Sequence, residues 1–179
     1  MTDPAGAAAN DLAFRRHLLA TLPHLRAFAR GLCGSSAQAD DLVQDTAIRA
    51  WAARESFAAG TNFRAWTFRI MRNHFLNEIR KRKRETELDD ETAARLSARA
   101  TQEDNLHLDD LQSALDCLPP ERREALLLIG AGGFTYEEAA SICGVATGTM
   151  KSRVARGRAA LARLLDDKDD APLTALQAG

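Results

Sequence analysis

Apolar residues recur along this chain every three or four positions, in stretches separated by glycine, proline and acidic runs. That spacing places them on one face of a helix. From Asp11, a first helix is marked by Leu12, Phe14, Leu18, Leu19, Leu22, Leu25, Phe28 and Leu32. Pro23 is expected to kink it or split it in two. Gly31, Gly34, Ser35 and Ser36 mark its end. A second helix runs from about Ala37 to Arg54, with Leu42, Val43, Ile48 and Trp51 facing inward. Glu55 to Asn62 is a loop containing Gly60, with a helix cap at Thr61 or Asn62. A long third helix follows, with Phe68, Phe75 and Ile79 on the side expected to face a core. Leu106 to Leu118 is amphipathic and stops at Pro119-Pro120, and Glu121 to Ile129 makes another helix.

The pattern is most specific from Thr135 to Arg158. Thr135 is an N-cap with Glu138 three residues on, the spacing of a capping box. Ala139, Ala140 and Ile142 give this helix a small apolar face, and Gly144 supplies the left-handed residue that ends it. A second helix starts near Thr147 and carries Met150, Val154 and Leu161 on one stripe. Its opposite face holds Thr149, Ser152, Ala155 and Arg156, flanked by Lys151, Arg153 and Arg158. No acidic residue lies between Glu138 and Asp166. Small hydrogen-bonding side chains suit base edges, and marginal cations suit phosphates, so the segment reads as a helix-turn-helix. A basic amphipathic helix with a solvated face is the plainer alternative. The cap, the glycine turn and the acid-free second helix together favour DNA.

Charge distribution sharpens this picture. The formal net charge is only -1 over 179 residues. Yet Arg64 to Arg84 contains one acid, Glu78, and Thr147 to Leu165 contains none. Between them, Glu85 to Asp116 is acidic and relieved only by Arg95 and Arg99. Two basic modules joined by an acidic segment are the result. Residues 85–105 lack an apolar period and read as a mobile linker, with a weak helical piece around Ala93 to Ala100. Residues 1–10 are rich in Ala and expected to be disordered, and residues 167–179 form a tail.

Two further clusters carry candidate chemistry, each with two readings. Asp40, Asp41, Gln44 and Asp45 crowd the start of the second helix. They either favour the helix dipole or form an edge that docks on a basic partner. Trp66, Arg69, Asn73 and Arg80 share a stripe on the third helix. An aromatic, an amide and two guanidiniums suit unpaired DNA. Alternatively Trp66 belongs to the core and the basic end of the helix is a solvated terminus.

Cys33, Cys117 and Cys143 lie far apart, without a CxxC, and no His shares metal-ligand spacing with them. Buried or idle thiols in a reducing compartment are expected. No cofactor, metal or small-molecule substrate is implied. No nucleophile-base pair or phosphate-binding glycine loop suggests an enzyme. No apolar run is long enough for a membrane, and the N-terminus lacks a signal-peptide pattern, so a cytoplasmic protein is expected.

Three blocks, GSSAQADDLVQDTAIRAW, FAAGTNFRAWTFRIMRNHFLNEIRKRKR and LDCLPPERREALLLIGAGGFTYEEAASICGVATGTMKSRVARGRAAL, occur in the order and spacing of a known family. The chain resembles an extracytoplasmic-function (ECF) RNA polymerase sigma factor, and GAGGFTYEEAASICG with GTMKSRV resembles the EcfG-type branch of the general stress response. The resemblance implies an all-α fold of two small domains joined by the acidic linker. Residues 11–84 would form a sigma-2-like domain, and residues 106–166 a sigma-4-like helix-turn-helix domain. It implies that Asp40, Asp41, Gln44 and Asp45 dock on the clamp helices of the polymerase β′ subunit. Phe57, Asn62, Trp66, Arg69, Asn73 and Arg80 would recognise and melt the −10 element, capturing a flipped base. Thr149, Lys151, Ser152, Arg153, Arg156 and Arg158 would read the −35 element. The linker would thread through the polymerase toward its RNA path, and the β subunit is implied as a further partner. An anti-sigma partner of the NepR type is implied, displaced by a response regulator with a sigma-like domain. Ala155 departs from the bulkier residue of some relatives. A stand-alone helix-turn-helix regulator is the rival reading, but it leaves the acidic edge and the Trp66 stripe without a purpose.

Overall fold

The computed structural model describes residues 4–88 and 106–169. The described residues form helices α1 (Pro4–Cys33), α2 (Ser36–Ala52), α3 (Phe63–Leu88), α4 (Leu106–Asp116), α5 (Pro120–Gly130), α6 (Tyr136–Cys143) and α7 (Thr147–Asp169). A single 3-10 turn, Arg54–Ser56, follows α2, and no strand occurs among the described residues.

Several boundaries differ from the sequence expectation. Helix α1 begins at Pro4, upstream of Asp11; proline fixes a helical φ and is favoured at a first position. Pro23 neither splits α1 nor ends it. Pro23 and Leu19 both lie on the exposed side, where water can donate to the Leu19 carbonyl in place of the amide that proline lacks. Helix α3 continues past Arg84 to Leu88. The rest of the acidic segment, with the helical piece expected around Ala93, lies outside the described residues, as does the end of the tail.

Helices α1, α2 and α3 form one group, around Leu25, Phe28 and Ala29 of α1, Leu42 and Val43 of α2, and Phe68 and Met71 of α3. Helices α4 to α7 form a second group, around Leu115, Leu118, Ala125, Leu128, Ile142, Met150 and Val154. The two groups are not held apart. Their buried residues join in a continuous core, because α1 and α3 pack against α5 and α6. Phe68 carries the junction: its ring lies 5.1 Å from Phe28 and 4.8 Å from Phe134. Gly31 permits the close approach of α1 to α5, since a Cβ there would sit 2.2 Å from Leu127 Cδ2.

Not every apolar position expected inside is enclosed. Ile79 is 45% exposed, and Phe75 is half-buried, while Phe68 on the same stripe is fully enclosed. The stripe on α3 is thus covered at Phe68 and open at Ile79. Ile48 is 58% exposed. It lies two residues from both buried Thr46 and buried Ala50, which is roughly half a turn round a helix of 3.6 residues per turn. Cys33 is half-buried and Cys143 buried, and burial pushes their thiols up to about 11 and about 12. Both stay protonated at neutral pH and are poor nucleophiles. Cys117 differs in being exposed.

Candidate nucleic-acid interface and docking edge

Local hydrogen bonds build the helix-turn-helix. The Thr135 hydroxyl accepts from the Glu138 amide at 3.2 Å, and the Thr135 amide donates to Glu138 Oε2 at 2.9 Å. This is the capping box read from the sequence. Gly144 ends α6 at φ 67°, and the Val145 amide returns to the Ala140 carbonyl at 3.0 Å. A side chain at that φ would be strained, so the turn depends on glycine. Helix α7 then inserts Met150 and Val154 into the core. Leu161, expected on the same stripe, is half-buried.

Rotation of α7 follows from those anchors. Thr149, Lys151, Ala155, Arg156 and Arg158 are each exposed, whereas Ser152 and Arg153 are half-buried. Lys151 Nζ lies 5.9 Å from the Tyr136 ring centroid, a position that steadies the cation without hiding it. Gly157, which the sequence reading passed over, faces Leu126; a Cβ there would come to 3.0 Å of Leu126 Cγ. Its lack of a side chain lets α7 lie close on α5.

Around α3 the candidate residues divide. Asn62 is the cap: its Oδ1 accepts from the Ala65 amide at 3.0 Å. Thr61 instead closes the loop onto the Ala58 carbonyl at 2.8 Å. Trp66 and Phe57 belong to an aromatic cluster with Phe14 and Phe63, with Trp66 5.4 Å from Phe57 and 6.0 Å from Phe14 between ring centroids. Trp66 is half-buried, so it is both a cluster member and partly open to solvent. Beside the loop lies a cleft of about 510 Å³, lined by Phe14, His17, Arg54, Phe57 and Gly60 among others. Arg54 is held there by Asp11 Oδ1 at 3.1 Å and stacks over Trp51. The sequence reading marked Phe14 only as an apolar position and did not single out Arg54. The pairing spans 43 residues in sequence, so no local pattern could have shown it.

Asn73, Arg69 and Arg80 are exposed. Two of the candidate residues already have partners on the other helical group. Arg69 Nη2 donates to the Ser141 carbonyl at 3.1 Å and to its hydroxyl at 3.0 Å. Asn62 Nδ2 donates to Glu138 Oε1 at 2.7 Å. Arg80 stays on its own helix, reaching Asn77 at 3.5 Å.

On α2, Asp40, Asp41, Gln44 and Asp45 all face outward. The first turn of α2 holds no acid, because the helix begins at Ser36. Dipole stabilisation fades within the first turn, so it does not account for this cluster. The four residues border two different hollows. Asp40 and Gln44 flank a groove shared with Leu22, Arg26 and Arg30 of α1. Asp41 and Asp45 flank one shared with His74, Phe75 and Ile79 of α3. Asp45 Oδ2 is 3.0 Å from Nε2 of the buried His74, which fixes that carboxylate. No group of His, Cys, Asp and Glu able to hold a metal occurs among the described residues, and no described helix is long and apolar enough to cross a membrane.

An outward acidic edge, an aromatic and amide-bearing helix, and a capped helix-turn-helix define a DNA-binding protein of two helical domains. Residues 18–85 match the Sigma-70 region 2 family, and residues 108–161 match the Sigma-70, region 4 family. The chain is 50% identical over 152 residues to the ECF RNA polymerase sigma factor EcfG of Rhodopseudomonas palustris, covering 84% of each. It is 35% identical over 155 residues to the ECF RNA polymerase sigma factor SigM of Mycobacterium tuberculosis, covering 87% of this chain and 76% of that one. Among solved structures, the sigma factor RpoE of Bartonella quintana, crystallised with the anti-sigma factor NepR, shares 47% identity. That match has a TM-score of 0.77 and covers 86% of this chain and 97% of the other. The chain belongs to the ECF RNA polymerase sigma factors. It binds core RNA polymerase and directs promoter recognition and transcription initiation.

Proposed function

We propose that this sigma factor serves a general stress response, held in check by an anti-sigma factor of the NepR type. The likeness to the Bartonella quintana complex supports this reading, because it extends over both helical groups at 47% identity. The protein acts in the cytoplasm and performs no catalysis; the polymerase supplies the chemistry. Residues 11–84 serve as the docking and −10 module, residues 85–105 as the linker, and residues 106–166 as the −35 module. Asp40, Asp41, Gln44 and Asp45 meet the β′ clamp helices. Phe57, Asn62, Trp66, Arg69, Asn73 and Arg80 serve the −10 element. Thr149, Lys151, Ser152, Arg153, Arg156 and Arg158 serve the −35 element. Exposure of Thr149 and Arg156 on one side of α7, with Lys151 and Arg158 exposed at the opposite margin of its outward face, supports the last assignment.

Transcription by purified core polymerase, with and without this protein, on a promoter library tests the function. Specific initiation that requires the protein, and that a NepR-type protein suppresses, is the expected result. Initiation unchanged by the protein would refute it.

Two α7 variants test the reading face. Arg156→Ala should lose discrimination at one −35 position, by about 1–3 kcal/mol, roughly one to two factors of ten. Lys151→Ala should weaken all sequences about equally and lower the salt slope by about one. Binding titrations at several salt concentrations distinguish them. Interchanged phenotypes would mean that a different face of α7 enters the groove.

A further inference from the structure

Asp45 differs from the other carboxylates of the docking edge. Its Oδ2 lies 3.0 Å from Nε2 of His74 on α3, whereas Asp40 and Asp41 form no side-chain hydrogen bond or ion pair among the described residues. A carboxylate oxygen accepts, so Nε2 is the donor. The two ends of this bond have different surroundings: the His74 side chain is 7% exposed and the Asp45 side chain 54%. Such a bond adds little to stability, because water would serve an exposed carboxylate as well. Water would not fix its direction. The buried imidazole does, and it leaves Oδ1 for another partner. Asp41 and Asp45, one turn apart on α2, line the hollow of about 140 Å³ between α2 and α3. Glu78 and Arg82 of α3 line it too, so that, besides His74, three carboxylates there face one guanidinium. Its apolar lining includes half-buried Phe75 and the exposed Ile79. An excess of carboxylate beside exposed carbon suits a lysine or arginine, whose stem rests on the apolar wall while its head meets oxygen.

We propose that His74 is a positioning residue for polymerase docking: it holds Asp45 so that the other carboxylate oxygen meets a basic side chain of the β′ clamp seated in the α2–α3 hollow. The inference rests on the docking assignment made above. Association has to order the side chains that it engages, and a carboxylate ordered beforehand no longer carries that cost. His74 thus acts through Asp45 and touches nothing of the polymerase itself.

The test uses the full chain as wild type, His74→Phe, His74→Gln, Asp45→Asn and the double variant His74→Phe/Asp45→Asn. Phenylalanine keeps a ring and removes the donor. Glutamine restores an N–H that can reach the same carboxylate. Asp45→Asn removes the charge that meets the clamp but leaves a neutral oxygen that still accepts from His74, more weakly. Melting curves report stability, and anisotropy titrations report affinity for core polymerase. His74→Phe should weaken core binding roughly two- to tenfold, the scale of ordering one interface side chain, with the melting temperature close to wild type. His74→Gln should recover most of that loss. Asp45→Asn should weaken binding by about tenfold or more. Adding His74→Phe to it should weaken binding no further, because the charge that His74 aims is gone. Wild-type affinity in Asp45→Asn removes Asp45 from the docking edge, and the positioning role with it. Wild-type affinity in His74→Phe, while Asp45→Asn binds weakly, overturns the positioning role and leaves the docking assignment standing. An equal loss from His74→Phe in both backgrounds assigns His74 to the fold alone and overturns the proposal. So does a loss that follows a falling melting temperature and that glutamine does not relieve. If the His74→Phe chain is unfolded at the assay temperature, His74→Leu removes the donor with a smaller side chain and is read in the same way.

Discussion

Reversing Asp40 and Asp41 to lysine is expected to weaken binding to core RNA polymerase by a factor of about 100 while leaving the melting temperature nearly unchanged. Both side chains are exposed on α2, and neither supports the core. Like-charge juxtaposition across an interface costs several kcal/mol, and about 2.8 kcal/mol corresponds to a hundredfold change in affinity. Asp45 is the less informative choice, because its bond to His74 makes any substitution a change of the fold as well. Asp41→Lys alone should show the smaller defect, since one cation replaces one anion instead of two. Native gel or anisotropy titration against core polymerase measures the effect. Wild-type affinity in the doubly reversed protein would remove the acidic edge from the docking surface. A drop in melting temperature with a proportional loss of binding would show that the residues serve stability instead.

The largest loss of stability is expected from Phe68→Ala. Phe68 is fully enclosed, packed against Phe28 on one side and Phe134 on the other. Truncating a buried phenylalanine costs about 3–5 kcal/mol, through lost burial and the cavity left behind. A typical domain has about 5–15 kcal/mol in all. The melting temperature should fall by on the order of 10 °C. Ile79→Ala, eleven residues along the same helix, is the control. Its side chain is 45% exposed, so its loss should cost roughly 1 kcal/mol or less. Chemical denaturation of both variants decides the matter. Similar costs would mean that α3 is rotated or covered otherwise than described. Phe68 also touches both helical groups, so its truncation should weaken the contact between them.

These two residues illustrate how far the pattern could be read. Phe68 and Ile79 are indistinguishable by period, since both fall on the apolar stripe of α3. A stripe states which side of a helix prefers to be covered. It does not state where along the helix the cover ends, because that depends on the lengths of neighbouring helices. Ile48 differs in kind: its position relative to Thr46 and Ala50 already places it outward, once those are known to be buried.

Capping and turn chemistry were legible because they are local. Thr135, Glu138 and Gly144 lie within ten residues of one another, and each acts on the backbone beside it. The same holds for the small and cationic face of α7, which is fixed once Met150 and Val154 are known to point inward. Helical class, the two groups and the chain order of the candidate surfaces therefore follow from the sequence by itself.

The tertiary structure decided what depends on distant partners. It placed Trp66 in a cluster with Phe14, whose position 52 residues earlier no local period could relate to it. It divided the acidic edge between two grooves, and tied Asp45 to His74 across 29 residues. It also set α6 against α3, so that Glu124 meets Arg72 and Ser141 meets Arg69. Periodicity specifies the face that each helix must bury. The choice among available faces is made by side chains far apart in sequence, through packing and charge that exist only once the chain has closed.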